Sequence, residues 1–463
     1  MTKEEKIRGR RVGVIGMARS GVAAALLARQ QGGIPFVSDA GRADLLTAQT
    51  SRLTKAGIPF ETDKHTERVL EVDYLVISPG VSLKADIIKR AQAKGIPVFS
   101  EIEFASWFCQ GKIVAITGTN GKTTTTALTG EVFKASGMPT FVCGNIGLPF
   151  AEITNQVPPD GVAVVEISSF QLETVADFHP QVAMILNITP DHLDRHGSME
   201  GYRNVKFRIA ENQSPQDFFV INREDPELAA HTAKTAATRI AFSTQNDTTA
   251  NTFVRDGALW TRINGKETRI IACNEIGIPG PHNLQNAAAA VISGGLLGVS
   301  ADAMAQALHH FPGVEHRLEK AGSVAGVYFI NDSKATNVDS VCVALRSMTT
   351  PTYLILGGRD KGAPYTPIIE AGKKVIKGLL VLGEARDKIF EQLGKSFPTE
   401  FVPTLEQAVT RGFELAHPGE AVLLSPGCSS FDMFENFEHR GRAFKAAVAS
   451  LKNGKKKSET VTS

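Results

Sequence analysis

Ile113-Val-Ala-Ile-Thr-Gly-Thr-Asn-Gly-Lys-Thr-Thr-Thr-Thr126 holds a short β-branched run that stops at Thr117, a glycine-flanked turn, and a helical stretch opened by Lys122-Thr123. Backbone N–H groups in such a turn converge on one point at the positive end of the helix dipole. A lysine placed there reaches the outer phosphates of a nucleotide, and the next hydroxyl holds Mg²⁺. The match to the standard phosphate-loop pattern is incomplete, because Ile116 stands where that pattern has an earlier glycine. An ordinary strand–turn–helix junction is the alternative, and a bare Gly-Lys-Thr would favour it. The whole strand–loop–helix context favours a nucleotide.

Working outward, a chain of 463 residues suggests about three domains at roughly 150 residues each. The apolar fraction of 42% and charged fraction of 21% are those of a soluble globular protein with ample core. A formal net charge of +2 gives no bulk electrostatic case for nucleic acid. The basic cluster Lys452-Asn-Gly-Lys-Lys-Lys457 reads as a solvated polar end. Five scattered cysteines without a Cys-x-x-Cys pair fit reduced thiols and offer no metal-ligand spacing. The charged start Met1-Thr-Lys-Glu-Glu-Lys6 lacks a signal-peptide core, and no apolar run approaches membrane-spanning length. These features predict a cytoplasmic protein that neither binds nucleic acid nor inserts into a membrane.

Three segments follow one another: 1–110, 111–314 and 315–463. In the first, apolar runs at 11–15, 34–38, 74–77 and 96–99 alternate with helical stretches such as 22–30. That alternation predicts a parallel sheet with its ligand at the strand carboxyl ends. Gly13, Gly16 and Gly21 do not make Gly-x-Gly-x-x-Gly, so a dinucleotide is weakly supported. The turn Gly16-Met-Ala-Arg-Ser-Gly21 still lets a diphosphate approach the backbone, as a nucleotide-sugar would. The second segment adds strands at 162–167, 182–186 and 218–221. The third, after a helix at 301–310 and the Phe311-Pro-Gly313 break, adds strands at 327–330, 353–356, 379–382 and 421–424. Several of the latter run into polar turns, including Asn331-Asp-Ser-Lys334, Gly357-Gly-Arg-Asp-Lys361 and Ser425-Pro-Gly427.

Several residues in these turns carry chemistry. Glu166 ends an apolar strand, where a carboxylate opposite a phosphate loop orders Mg²⁺ or its water; a glutamate simply facing solvent is the alternative. Asp191-His-Leu-Asp-Arg-His196 suits Mg²⁺, a substrate phosphate or proton transfer, with a plain hydrogen-bonded loop histidine also open. Lys206, in a helical stretch, reads as a surface lysine, whose ammonium has no lone pair for a metal. As a carbamate formed with CO₂ it would be an oxygen donor, a step that sequence alone does not justify. Amides in His282-Asn283-Leu-Gln-Asn286 can read an adenine edge or merely begin a capped helix. Arg317, after His316, can bridge two phosphates or sit at a surface or domain interface.

Together Gly118-Thr-Asn-Gly-Lys-Thr123, Gly144-Asn-Ile-Gly147, Glu166-Ile-Ser-Ser-Phe-Gln-Leu-Glu173, Asp191-His-Leu-Asp194, Lys206, His282-Asn283, His316-Arg317 and Asn331-Asp-Ser-Lys-Ala-Thr-Asn337 closely resemble the Mur ligases of peptidoglycan synthesis. The ending Ser425-Pro-Gly-Cys-Ser-Ser-Phe-Asp-Met-Phe-Glu-Asn-Phe-Glu-His-Arg-Gly441 is most similar to the D-glutamate-adding members. The Asp-Asn-Pro-Arg motif of the diaminopimelate-adding relatives does not occur. The resemblance implies an α/β protein of three domains: a Rossmann-like first domain for a UDP-sugar, a central P-loop ATPase-type domain with a mainly parallel sheet, and a Rossmann-like third domain for an amino acid. It implies ATP-dependent ligation of D-glutamate to UDP-N-acetylmuramoyl-L-alanine through an acyl phosphate, by a monomer. The third domain would close over the site and exclude water.

By the same resemblance, Gly118, Thr119, Asn120, Gly121, Lys122, Thr123 and Thr124 hold the ATP phosphates, Asn283 and Asn286 read adenine, and Arg317 and Asp332 close over phosphates and ribose. Two Mg²⁺ are implied, one beside Thr123 and Glu166, the other served by His192 and a carbamylated Lys206. Gly16, Arg19, Ser20, Asp39, Ser78, Gly80, Asn145 and His192 would face the UDP-sugar. Thr336, Lys361, Ser430, Phe431 and Phe437 would form the D-glutamate pocket. Folylpolyglutamate synthase shares this plan, but its folate-binding features are not evident. A nucleotide-gated switch would need only the phosphate loop.

Overall fold

Near-continuous apolar strands separated by polar turns fold as parallel sheets covered on both faces. The computed structural model describes residues 3–461 apart from Thr232 and Thr248. Among these, the first sheet has five strands in the order Phe60–Glu61, Ile34–Ser38, Arg11–Ile15, Tyr74–Ile77, Val98–Ser100, all parallel. The order reverses between Arg11–Ile15 and Tyr74–Ile77, which brings the Gly16 and Ser78 turns together at a switch point. The second sheet has nine strands. Third from one edge, Lys112–Thr117 lies between Val182–Ile185 and Val162–Glu166, parallel to both. The third has six strands, with Ala421–Leu424 inserted between Val327–Asn331 and Thr352–Gly357.

The chain packs as two compact units, Met1–Ile278 with Asn283–Phe311, and Pro279–His282 with Pro312–Ser463. The first two sheets belong to the first unit and the third sheet to the second. No helix among the described residues is long and apolar enough to cross a membrane, and the five cysteines are free thiols.

Most strands lie where apolar runs predict them, with instructive differences. The run at 96–99 pairs only from Val98, because Pro97 has no N–H for a ladder. The helix that the 282–286 stretch is read as beginning spans Pro281–Leu296, Pro281 being preset for a first helical position. Sequence reading missed the antiparallel strands Thr252–Arg255, Ala258–Ile263 and Lys266–Ala272. Their signal was present: Asp256-Gly257 and Asn264-Gly265 all take positive φ, as two-residue hairpin turns require.

Within the first unit, helix Glu101–Ser106 joins the first sheet to the second. Ser100 caps it by accepting from Glu103 N. The fully buried Glu103 carboxyl accepts from the Trp107 indole at 2.7 Å and from the Ala176, Asp177 and Phe178 N–H groups at 2.9, 3.0 and 2.8 Å. Trp107 in turn packs edge-on against Tyr74, Phe99 and Phe104. Glu103→Leu would strand the buried donors of Trp107 and Phe178 and break two further bonds at Ala176 and Asp177. It is expected to cost about 3 kcal/mol or more and to lower the thermal midpoint; an unchanged midpoint would show that this joint contributes nothing.

Candidate active site

The phosphate loop connects strand Lys112–Thr117 to helix Lys122–Ala135. Gly121 precedes the helix at φ +82°, and a Cβ there would lie 2.6 Å from Asn286 Oδ1, so only glycine fits. The loop is braced by Asn187, absent from the sequence reading. Its Oδ1 accepts from Thr119 N at 3.1 Å and Asn120 N at 2.8 Å, and its Nδ2 donates to the Asn120 carbonyl at 3.1 Å. Two N–H groups expected to meet phosphate are therefore bonded to Asn187, and the first helical turn, Lys122 to Thr124, keeps the positive end of the helix dipole. Lys122 Nζ folds back onto the Gly118 and Thr119 carbonyls at 2.9 and 2.8 Å. Asn286 accepts from Thr125 Oγ1 at 3.0 Å and donates to Asn283 Oδ1 at 3.1 Å. It thus ties Asn283 to the loop helix.

Glu166 does not face solvent: it is 1% exposed and registered against Ile116 on the neighbouring strand. Its Oε1 accepts from Asn145 Nδ2 at 2.8 Å, while Oε2 is buried with no hydrogen-bond partner. A buried carboxyl oxygen without a donor calls for a cation. Together with the buried Thr123 hydroxyl it offers the oxygen chemistry that suits Mg²⁺. Asn145, expected at the UDP-sugar, thus orients Glu166.

Lys206 is not a surface lysine. On helix Met199–Phe207 it is 1% exposed, its Nζ 2.9 Å from the Gly118 carbonyl and 3.4 Å from Thr117 Oγ1, over the Tyr202 ring. Burial, reinforced by the charge of Lys122 and opposed by Asp191, holds its pKa well below the ordinary lysine value. Both burial and the Lys122 charge thereby ease the loss of its proton. His192 takes φ +52°, a strained conformation for such a residue. Its ring lies 3.5 Å from the Asp191 carboxylate and edge-on to Phe170 at 4.8 Å.

At the first sheet's switch point Ser78 Oγ donates to the Gly16 carbonyl at 3.1 Å. Both Asp39 oxygens accept backbone N–H groups, from Met17 at 2.5 Å and Gly41 at 2.7 Å, so Asp39 shapes the turn. Arg19 donates to the Gly147 carbonyl at 3.3 Å; Ser20 is half-buried and Gly80 exposed. A cavity of about 400 Å³ opens here, lined by Gly16, Asp39, His65, Val81 and Arg90 among others. His65 and Arg90 escaped sequence reading because no motif marks them. Burial lowers the His65 pKa, against the pull of Asp39 and Glu61, and its Nδ1 lies 2.7 Å from Ser38 Oγ.

In the second unit Arg317 sits between His316 and Leu318, both at positive φ. Asp332, 1% exposed, accepts from Leu318 N at 3.2 Å and Ser425 Oγ at 2.8 Å. Burial raises its pKa to about 6 despite the nearby Arg317. Burial, then the Arg317 charge, pushes His282 down to about 4. Lys361 and Phe431 are exposed, Ser430 is buried, and Thr336 and Phe437 are half-buried. Phe437 packs against His316 and Lys334. Arg440, missed in the sequence, is buried; it donates to the Ser333 carbonyl at 2.9 Å and the Cys428 carbonyl at 3.2 Å. It fastens the turn after Val327–Asn331 to the turn after Ala421–Leu424. Glu315, His316 and Glu319 cluster in a metal-ligand-like arrangement, but Lys445 already pairs both carboxylates at 2.6 and 2.9 Å.

A carboxyl whose folded pKa is raised binds its proton more tightly folded than unfolded. The stability from Asp332 is present below its ordinary value of 3.8 and lost as pH rises through about 6. Asp332→Asn is therefore expected to raise the thermal midpoint near about pH 8 and to give little gain near about pH 4.5. Equal shifts at both would contradict this.

Residues 10–100 match the family model described as Mur ligase MurD-like, N-terminal domain. Residues 116–294 match the Mur ligase middle domain, and residues 316–428 the Mur ligase, glutamate ligase domain. The chain is 42% identical over 452 residues to UDP-N-acetylmuramoylalanine–D-glutamate ligase of Thermoanaerobacter sp. (strain X514), covering 96% of this chain and 100% of the relative. A ligase of the same name from Salinibacter ruber is 41% identical over 462 residues, covering 97% and 100%. The crystal structure of UDP-N-acetylmuramate-alanine ligase MurC from Thermotoga maritima superposes with a TM-score of 0.60 at 20% identity, over 95% of this chain and 99% of that one; this likeness shows a common fold. From its first glycine turn to its last sheet, the chain belongs to the Mur ligase family.

Proposed function

We propose that this protein is an ATP-dependent ligase that joins D-glutamate to UDP-N-acetylmuramoyl-L-alanine in peptidoglycan precursor synthesis, releasing ADP and phosphate. Full-length likeness to relatives named for that reaction supports the substrates. The observation that carries the chemistry is the unpartnered, buried Glu166 Oε2 at the end of the strand beside the phosphate loop.

A carboxylate is a poor electrophile, and oxide cannot leave. Transfer of the γ-phosphoryl group of ATP to the terminal carboxylate of UDP-N-acetylmuramoyl-L-alanine gives an acyl phosphate. The amine of D-glutamate attacks its carbonyl carbon, a tetrahedral intermediate forms, and phosphate leaves as the amide forms. Positioning and charge neutralisation dominate such a reaction. Lys122 and the first turn of its helix (Thr123, Thr124) bind the phosphates, on a loop that Gly118–Gly121 form and Asn187 braces. Asn283, held by Asn286, reads adenine; Arg317 and Asp332 serve phosphates and ribose. Gly16, Arg19, Ser20, Asp39, Ser78 and Gly80 receive the UDP end of the substrate, with Asn145 and His192 nearer its reacting end. Lys361 supplies a cation for the D-glutamate carboxylates, and Thr336, Ser430, Phe431 and Phe437 complete that subsite. Mg²⁺ fits Thr123 and Glu166, and a second ion fits His192 with a carbamylated Lys206; when bound, both neutralise phosphate charge.

Carbamylation requires an unprotonated amine, and the lowered pKa of the buried Lys206 favours it. Its nitrogen lone pair bonds to the carbon of CO₂ and a proton is released, converting a buried amine into an oxygen donor. We place the domain limits at 1–110, 111–314 and 315–463, and the protein in the bacterial cytoplasm as a monomer, where ATP and nucleotide-sugars are made.

Phosphate release from ATP with UDP-N-acetylmuramoyl-L-alanine is expected with D-glutamate and not with L-glutamate, lysine or diaminopimelate. Turnover with another acceptor would break the pocket assignment, and hydrolysis indifferent to every acceptor would remove the ligase reading. Rigorous CO₂ depletion is expected to lower activity and bicarbonate to restore it. Indifference to both would retire the carbamate.

A further inference from the structure

Beside the phosphate loop lies a network that the chemistry above does not use. Arg195 pairs with both oxygens of Glu173, Nε at 2.9 Å and Nη2 at 2.6 Å. Its guanidinium stacks 4.0 Å from the Phe170 ring centroid, and Nη2 also donates to the Val81 carbonyl at 3.1 Å. Both charged side chains are largely buried, at 17% and 10% exposure. One side chain therefore touches three pieces of the first unit. It belongs to the segment that carries His192. It grips Phe170 and Glu173, just after Glu166. It also reaches the turn after Tyr74–Ile77, where Val81 N donates to the Ser78 carbonyl at 3.0 Å and Ser78 bonds the Gly16 carbonyl. The grip extends to neighbouring rings: Phe170 meets His192 at 4.8 Å, and His196 sits 3.6 Å from Glu173 and 3.0 Å from Ser169 Oγ.

A largely buried ion pair adds little to stability compared with apolar packing of the same shape. What it does supply is direction: a planar fork satisfied on a carboxylate, with one further N–H aimed at a carbonyl, fixes three partners in one geometry. Val81 lines the 400 Å³ cavity with Gly16, so the contact ties the cavity wall to the histidine segment.

We propose that Arg195 is a positioning residue for the UDP-linked substrate, holding the Ser78–Val81 turn and the His192 segment in one register so that the nucleotide-sugar end and the reacting carboxylate are placed together. This rests on the reading that the protein binds UDP-N-acetylmuramoyl-L-alanine. The phosphate loop is braced separately by Asn187, which Arg195 does not contact.

The test is calorimetric titration of the full chain and its R195Q, R195K and E173Q variants with UDP-N-acetylmuramoyl-L-alanine and, separately, with a non-hydrolysable ATP analogue, alongside thermal midpoints and steady-state KM values. R195Q is expected to weaken the UDP ligand about tenfold or more. R195K, the milder change should R195Q fold poorly, is expected to fail to rescue, since an ammonium cannot make the fork. E173Q should fall between. Affinity for the ATP analogue and KM for D-glutamate should stay within about twofold. Native-like UDP affinity in R195K and R195Q would overturn the proposal, as would parallel weakening of both ligands with a fallen midpoint, the mark of a purely structural strut. Wild-type protein that binds the ATP analogue and ignores the UDP ligand would instead overturn the substrate reading, and the proposal with it.

Discussion

Two lysines share one carbonyl. Lys122 and Lys206 each place Nζ 2.9 Å from the Gly118 oxygen, and the second is sealed from water. Two ammonium groups so close in a low-dielectric interior repel strongly. Burial and this repulsion together lower the Lys206 pKa. One lysine stands at the helix start, and the other lies buried against the same carbonyl.

The same tension recurs elsewhere. Glu166 keeps a buried oxygen without a donor, Asp332 is pushed toward its protonated form, and Arg440 spends a buried guanidinium on main-chain carbonyls. His192, His316 and Leu318 hold positive φ without being glycine. Such features cost stability and persist where surrounding structure over-determines them. Their neighbours are well satisfied: Asn187 makes three bonds to the loop, and Glu103 accepts four. A well-bonded frame thus carries a few strained or unsatisfied groups.

Much of the fold was legible because period and punctuation are local. Apolar runs at Arg11–Ile15, Tyr74–Ile77 and Ala421–Leu424 coincide with strands, since a strand buried on both faces needs only an unbroken apolar stretch. The hairpin strands after Asn251 were overlooked despite Asp-Gly and Asn-Gly turns, because their alternation is weaker than the apolar runs around them. Within the site, motifs single out Asn145 and Asn286, and their amides meet Glu166 and Thr125. A motif gives position along the chain; it does not give the partner.

The sequence by itself determined the strand–loop–helix of the phosphate site, the order of the segments and the family, because these reside in contiguous residues and their spacing. Only the tertiary structure decided which groups are buried and what they meet: that Lys206 is sealed and its pKa lowered, that Glu166 keeps an unpartnered oxygen, that His65 and Arg90 line a cavity, and that Arg195 reaches Val81 across more than a hundred residues of chain. Charge state and pairing depend on local dielectric and on neighbours brought in from distant segments, and no local pattern records either.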